Sequence, residues 1–250
     1  MNLLEQFEIP PINPSRLKLI WQSNGQDRNK YTVGEVVRSG DSFSLSYFYY
    51  SKEFLNARLA GFEGHPAFPI SRPVHHSNVI EVLARRLPSR TRNDYFQYLQ
   101  KYRISVHHPV TDIALLGYTG AYLPSDGFSF AIDWRFEETP CVFMMEVSGF
   151  RYNEGMHIDM TQMKNRYVHL FAEPHNEHDP NAIALMLDEK RIGYVPRYYA
   201  PDIFEFSRYY SIFCKIERIE GAMLKPKVHV LTTIAARKHD EVQQLQKSHF

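Results

Sequence analysis

Cysteine is scarce: the 250-residue chain has two, Cys141 and Cys214. Two thiols complete neither a four-ligand zinc site nor a disulfide framework, and a chain that folds without disulfides suits a reducing cytosol. No apolar run approaches the ~20 residues that span a bilayer, so no membrane partner is expected. The opening segment, MNLLEQFEIPPINP, is acidic and has no basic stretch leading into an apolar one, so a secretory signal is not expected. An excess of positive charge is missing as well. There are 29 basic and 28 acidic residues, a net charge of +1. Through Thr139 the balance is 15 basic to 14 acidic, and beyond it 14 to 14. Tight non-specific binding to a duplex comes from neutralising many phosphates, and neither half has the cations for that. A nucleic acid would have to be held in a small site of defined geometry, or within a larger assembly. What remains is an ordinary globular composition, 44% apolar and 23% charged, enough for one large or two ordinary domains.

Strands and helices alternate irregularly along the chain, which reads as an α+β protein without repeats. Residues 1–15 are Pro-rich and read as an extended arm. RLKLIWQ, YTVGEVVR and FSLSYFYY are rich in β-branched and aromatic residues and read as three strands, with turns at Gly25 and Gly40-Asp41. SKEFLNARLAG reads as a short helical turn, and Pro66 to Pro73 as a loop. Two helices follow. The first is capped by Ser77, with Val79, Val82, Leu83 and Leu87 on one face and Pro88 ending it. The second is capped by Thr91, with Tyr95, Tyr98, Leu99 and Tyr102 at helical spacing. VTDIALLG reads as a third helix, stopped by Gly117. Residues 134–140, WRFEETP, read as a linker between domains at 14–133 and 141–238. After it, CVFMMEVSGFRY, RYVHLFAE, AIALML, RIGYVP, SIFCKIERI and KVHVLTTIAA read as strands, with one helix near Pro201–Arg208. Many short strands with a single helix point to a small barrel. DEVQQLQKSHF reads as a polar, helical tail.

The densest chemistry lies in FAEPHNEHDPNAIALMLDEKRIGYVPRYYA, Phe171 to Ala200. Short hydrogen-bonding side chains crowd Asn176 to Asn181 immediately before a strand, and such a loop can build a rigid polar rim on a barrel. Together with GFRYNEG, Gly149 to Gly155, this stretch resembles the HIRAN domain. The family pattern runs G-(F/L)-R-Y, then E-P-x-N-x-x-D-x-N-A-I, then x-I-G-Y-(V/L)-P-R-x-x-A, and all three parts stand here in order. The resemblance implies an OB/SH3-like barrel whose groove captures the 3′-hydroxyl end of single-stranded DNA. Carried onto this chain, it implies that Arg151 contacts a phosphate and Tyr152 stacks on a base. It implies that Asp179 accepts a hydrogen bond from the terminal hydroxyl, and that Asn176 shapes the loop or bonds the sugar. His178 stands where the eukaryotic helicase members have tyrosine; it can still stack, with less area. Turn chemistry competes with these roles at Asp179 and Asn181. An Arg-Tyr pair at a strand end is equally familiar as a surface pair.

The first half carries a second resemblance. LKLIWQSNGQ, VGEVVRSGDSFSLSYFYYSKEFLNARLAGFEGHPAFPIS, VIEVLARRLPSRTRNDYFQYLQKYRI and DIALLGYTGAYLPSDG follow, in order over Arg16 to Ala131, the N-terminal subdomain of HipA-type toxin kinases. This implies a mixed β-sheet with helices. The resemblance stops before the kinase core: there is no HGDxHxxN loop, no DFD-like acidic triplet and no GxxxxGK(S/T) loop. The glycine loop at Gly117-Tyr118-Thr119-Gly120 is short and lacks a serine. Phosphoryl transfer needs a metal-binding acid and a positioned base, so a kinase is not expected, and no catalytic residue or cofactor is assigned. A split form of the family makes a separate HipA-like kinase, or its DNA-binding antitoxin, the implied protein partner.

His175, His178 and Asp179 have zinc-ligand types but lack a fourth ligand, so no metal is expected. His75-His76 and His107-His108 read as surface pairs. Arg85, Arg86, Arg90 and Arg92 read as a solvated face or as a phosphate or partner surface. The leading expectation is a non-enzymatic, cytoplasmic protein that binds single-stranded DNA. A regulatory protein that docks on a toxin kinase is the alternative, and a metal-dependent nuclease the weakest reading.

Overall fold

The computed structural model describes residues 11–25, 28–222 and 225–237. The chain divides into two compact units, Met1–Phe136 and Glu137–Phe250. The extended arm, in its first ten residues, and the helical tail lie outside the described residues.

The first unit is built on β1 (Arg16–Gln22), β2 (Lys30–Ser39) and β3 (Ser42–Tyr47), with β4 (Gly64–His65) and β5 (Phe68–Pro69) as a separate small hairpin. Two further strands, β6 (Val74–His75) and β7 (Phe128–Ile132), flank the main sheet, whose order is β6-β3-β2-β1-β7. Every pairing in it is antiparallel, so the mixed sheet expected from sequence is not what forms. Short turns fold β1–β3 back on themselves, and the return through α4 brings β7 in antiparallel beside β1. Five consecutive residues of β1, Leu17 to Trp21, are buried, as befits a central strand covered on both faces. Trp21, Tyr47, Phe54, Phe62, Phe68 and Phe128 form a connected ring cluster with His65 and His75.

Among the described residues four helices complete this unit: α1 (Lys52–Leu59), α2 (Val79–Ala84), α3 (Tyr95–Lys101) and α4 (Asp112–Thr119). Their ends differ from the sequence reading. α2 starts after Asn78, which is left-handed and makes no side-chain cap bond, rather than after Ser77. α3 starts after Asp94, because Thr91 is engaged with the Ser89 hydroxyl at 2.7 Å. α4 is capped by Thr111, runs through Gly117 and stops at the left-handed Gly120. Gly117 is a packing glycine: a Cβ there would lie 2.4 Å from Ile132 Cγ1 and 2.8 Å from Leu17 Cδ2. His75 is buried, with its Nε2 3.1 Å from the Pro69 carbonyl, because pairing of β6 with β3 turns it inward. Trp134, expected in a linker, is 1% exposed, its ring 5.9 Å from that of Tyr118.

Among its described residues the second unit has six strands: β8 (Cys141–Glu146), β9 (Tyr167–Glu173), β10 (Ala182–Leu187), β11 (Lys190–Tyr194), β12 (Tyr210–Glu220) and β13 (Lys227–Ala236). Their order is β11-β10-β9-β12-β13-β8. The two edges then meet. Ser148, just beyond β8, and Tyr194 of β11 exchange backbone bonds of 2.8 and 2.9 Å, which closes the sheet on itself. Gly193 makes that closure fit: at φ +146 a Cβ would sit 2.5 Å from Val147 Cγ1 and 2.6 Å from the Ser148 carbonyl. The helix α6 (Ala200–Ser207) is joined by a one-turn helix, α5 (Met160–Met163), which the sequence reading did not contain. Cys141 and Cys214 are unbridged and buried, and burial pushes both thiols up to about 12. No helix among the described residues is long and apolar enough to cross a membrane.

Candidate nucleic-acid interface

Gly149 ends the β8 segment in the left-handed region, at φ +70, and the chain enters a 3-10 turn, Phe150–Tyr152. Arg151 and Tyr152 therefore lie on a turn, as the family pattern implies, and the strand read over CVFMMEVSGFRY stops short of them at Glu146. Phe150 is buried and anchors the turn, while Tyr152 is 82% exposed. The Arg151 guanidinium lies 5.4 Å from the Tyr152 ring centroid, and Arg151 makes no ion pair among the described residues. A cation and a ring are thus presented side by side to solvent.

The next residues tie this turn to the polar loop. Asn153 donates to the Gly149 carbonyl at 2.8 Å and accepts from Arg191 Nε at 2.8 Å. Glu154 accepts from the Arg191 backbone N–H at 3.0 Å. Arg191 then reaches Glu173 at 3.1 Å, and Glu173 also accepts from Asn176 Nδ2 at 2.8 Å and from the Tyr194 hydroxyl at 3.2 Å. The Asn176 bond, with help from Arg191 and Tyr194, holds the Glu173 carboxyl below its usual range. Burial, foremost, raises the Tyr194 hydroxyl. This chain of bonds ties the end of β9, at Glu173, to both ends of β11, at Arg191 and Tyr194.

In the loop itself, the Asn176 side-chain oxygen accepts from the backbone N–H groups of His178 and Asp179, at 2.9 and 3.1 Å. Asn176 shapes the loop, one of the two roles open to it. Asp179 accepts from the Asn181 backbone N–H at 3.0 Å and from Arg197 Nε at 2.8 Å. A carboxylate has about four acceptor sites, so Asp179 keeps capacity for a hydroxyl. Asn181 holds the turn through its backbone N–H and not through its side chain, which makes no hydrogen bond among the described residues. His178 is exposed on the same loop. Among the described residues no three His, Cys, Asp or Glu side chains are grouped to hold a metal ion, so His175, His178 and Asp179 form no such site.

The structure thus links Arg151 and Tyr152 to Asn176, and through the loop to His178, Asp179 and Asn181. Sequence reasoning did not single out Asn153, Glu173, Arg191, Tyr194 and Arg197. Four of them lie within the motif strings themselves, EP, RIGY and PR, where a polar residue before a strand or glycine was the available signal. The arginine cluster of the first unit behaves differently. Arg86 is buried and forks onto Asp126 at 2.5 and 3.0 Å, also donating to the carbonyls of Ala121 and Phe128. Arg90 pairs with Asp112 at 2.5 Å and Arg92 with Asp94 at 2.6 Å. Three of its four cations are spoken for, so it is no open phosphate surface.

Residues 142–223 match the family model of the HIRAN domain. No curated protein matches the chain. Among solved structures, the HIRAN domain of human HLTF is similar at 22% identity, over 44% of this chain and 89% of that one, with a TM-score of 0.31. A protein from Lactobacillus plantarum is similar at 19% identity, over 40% of this chain and 100% of that one, with a TM-score of 0.32. These superpositions are too loose to bear on function, and the domain assignment rests on the family match. The resemblance of residues 16–131 to a HipA-type subdomain finds no support in these comparisons.

Proposed function

We propose that residues 142–223, a HIRAN domain, bind single-stranded DNA at a 3′-hydroxyl end and catalyse no reaction. The observation that carries this reading is Arg151: a cation without an acidic partner among the described residues, beside the exposed Tyr152 ring, on a turn pinned by Asn153, Arg191 and Glu173. A phosphate would pair with the guanidinium and a base would stack on the ring. Base–aromatic stacking contributes about 1–3 kcal/mol per base. Asp179, with acceptor capacity left, is the group suited to a terminal hydroxyl, while Asn176 keeps the loop in register. His178 and Asn181, both exposed on the loop, complete the proposed contact set.

The lack of a positive excess beyond Thr139, 14 basic to 14 acidic residues, fits this assignment, since end recognition needs few cations, whereas duplex coating needs many. The test is a fluorescence-anisotropy titration at physiological salt with single-stranded DNA ending in a 3′ hydroxyl or a 3′ phosphate. Tighter binding of the hydroxyl end supports end reading through Asp179. Equal binding removes the end-reading part, and no binding of either strand removes the function.

A further inference from the structure

The outward face of β9 carries three stackable rings in a row, Tyr167, His169 and Phe171, all exposed, and the row ends at Glu173. Residues two apart in a strand share a face at a spacing of about 6.6–6.8 Å. β9 pairs with β10 from His169 to Glu173 and with β12 at Tyr167 and Val168, and a solvent-facing row on an antiparallel sheet is normally polar. Phe171 is 60% exposed and Tyr167 40% exposed. Nothing large covers Phe171 from the next strand, where its rung partner is Ala184.

The same rungs lead into the candidate site. Ala184 is paired on its other side with Tyr194, whose hydroxyl donates to Glu173. His169 is paired with Met186, and Met186 with Arg191, which holds Asn153 and Glu173. The ring row and the network that pins the Arg151 turn therefore occupy one continuous face of β9, β10 and β11.

We propose that Phe171, with Tyr167 beyond it, is a stacking track for nucleotides further along the strand whose end is held at Arg151, Tyr152 and Asp179. This rests on the single-stranded DNA reading given above. Evenly spaced flat rings suit successive bases, because every base has a face to stack and no hydrogen-bond pattern is required. Continuity with the candidate site fixes the occupant as the same strand, rather than a separate ligand.

The experiment is an anisotropy titration of 3′-hydroxyl oligonucleotides of two, four and eight residues with the parent protein and with Phe171→Ala, Tyr167→Ala and Arg151→Ala. The parent is expected to bind the longer strands more tightly than the dinucleotide. Phe171→Ala should weaken the eight-residue strand about fivefold or more, the weak end of base–aromatic stacking, and leave the dinucleotide unchanged. Arg151→Ala should weaken every length. If Phe171→Ala and Tyr167→Ala bind all lengths like the parent while Arg151→Ala binds worse, the track is wrong and the end site stands. If Arg151→Ala also binds like the parent, the underlying site reading fails, and the track with it.

Discussion

The two units treat arginine and aromatic rings in opposite ways. In the first, Arg86 is sunk into a fork with Asp126, and Tyr47, Phe54, Phe62, Phe68 and Phe128 are buried together. In the second, Arg151 has no acidic partner among the described residues, and Tyr152, Phe171 and Tyr167 face solvent. The exposed rings of the first unit, Tyr50, Phe96, Tyr122 and Phe136, lie in turns and loops and on helices, not along a sheet face next to a polar network. The lesson concerns how to find a binding site. A run rich in arginine looked the more basic surface, but ion pairing has largely neutralised it. A single arginine set beside a ring, on a turn held by Asn153, Arg191 and Glu173, is the better place for a phosphate.

The largest effect expected from this contrast is on stability. Arg86→Ala strips the partner from Asp126 and leaves two carbonyls short of a donor. Asp126 keeps 23% of its side chain exposed, so the loss lies at the low end of the about 3–5 kcal/mol that breaking a buried pair from one side costs. Chemical denaturation should show the first unit losing that much, with DNA binding by the second unit unchanged where the protein is folded. Next comes Arg151→Ala, which should weaken single-stranded DNA binding by about tenfold, for loss of one charge-assisted contact of ~1.5 kcal/mol. It should leave the melting temperature where it was, since the side chain is exposed.

A smaller effect mixes the two readouts. Asn176→Ala removes the acceptor of two backbone N–H groups and a donor to Glu173. It should cost the barrel about 1–2 kcal/mol, and weaken DNA binding by loosening the loop. A barrel as stable as the parent would mean the loop is held by something else.

The smallest effect is in pH. Burial, with the Arg86 charge behind it, pulls His65 down from 6.5 to about 4. A depressed histidine is neutral in the fold, so its contribution is complete above pH 6.5. As the pH falls towards about 4 the unfolded chain takes up the proton first, and stability is lost. His65→Asn, which keeps an acceptor near the Ala67 N–H, should flatten the first unit's melting temperature between pH 6.5 and 4. Glu173, also depressed, acts in the same direction at lower pH in the second unit.

Local pattern was enough for much of the fold. β1, β10 and β13 match the sequence reading residue for residue, because apolar and β-branched residues crowd short segments bounded by turns. Helix ends were less legible. Ser77 and Thr91 are good caps in isolation, but the chain starts each helix at the residue that tertiary packing dictates, Asn78 and Asp94. Gly117 looked like a stop and is instead a point of close approach to Ile132 and Leu17, a fact carried by residues far away in sequence. The site divides the same way. Arg151, Tyr152, Asn176 and Asp179 could be picked out because their motifs are local strings. The bonds from Arg191 to Asn153 and Glu173 span 38 and 18 positions, and only the closed barrel brings them together.

The most direct test of the central contrast is one binding isotherm measured three ways. Parent, Arg151→Ala and Arg90→Ala are titrated with the same 3′-hydroxyl single-stranded DNA at physiological salt. The account predicts that Arg151→Ala loses about tenfold in affinity, one such contact, while Arg90→Ala, already paired with Asp112, binds like the parent. Retained binding by Arg151→Ala with loss by Arg90→Ala would put the nucleic acid on the first unit and contradict it.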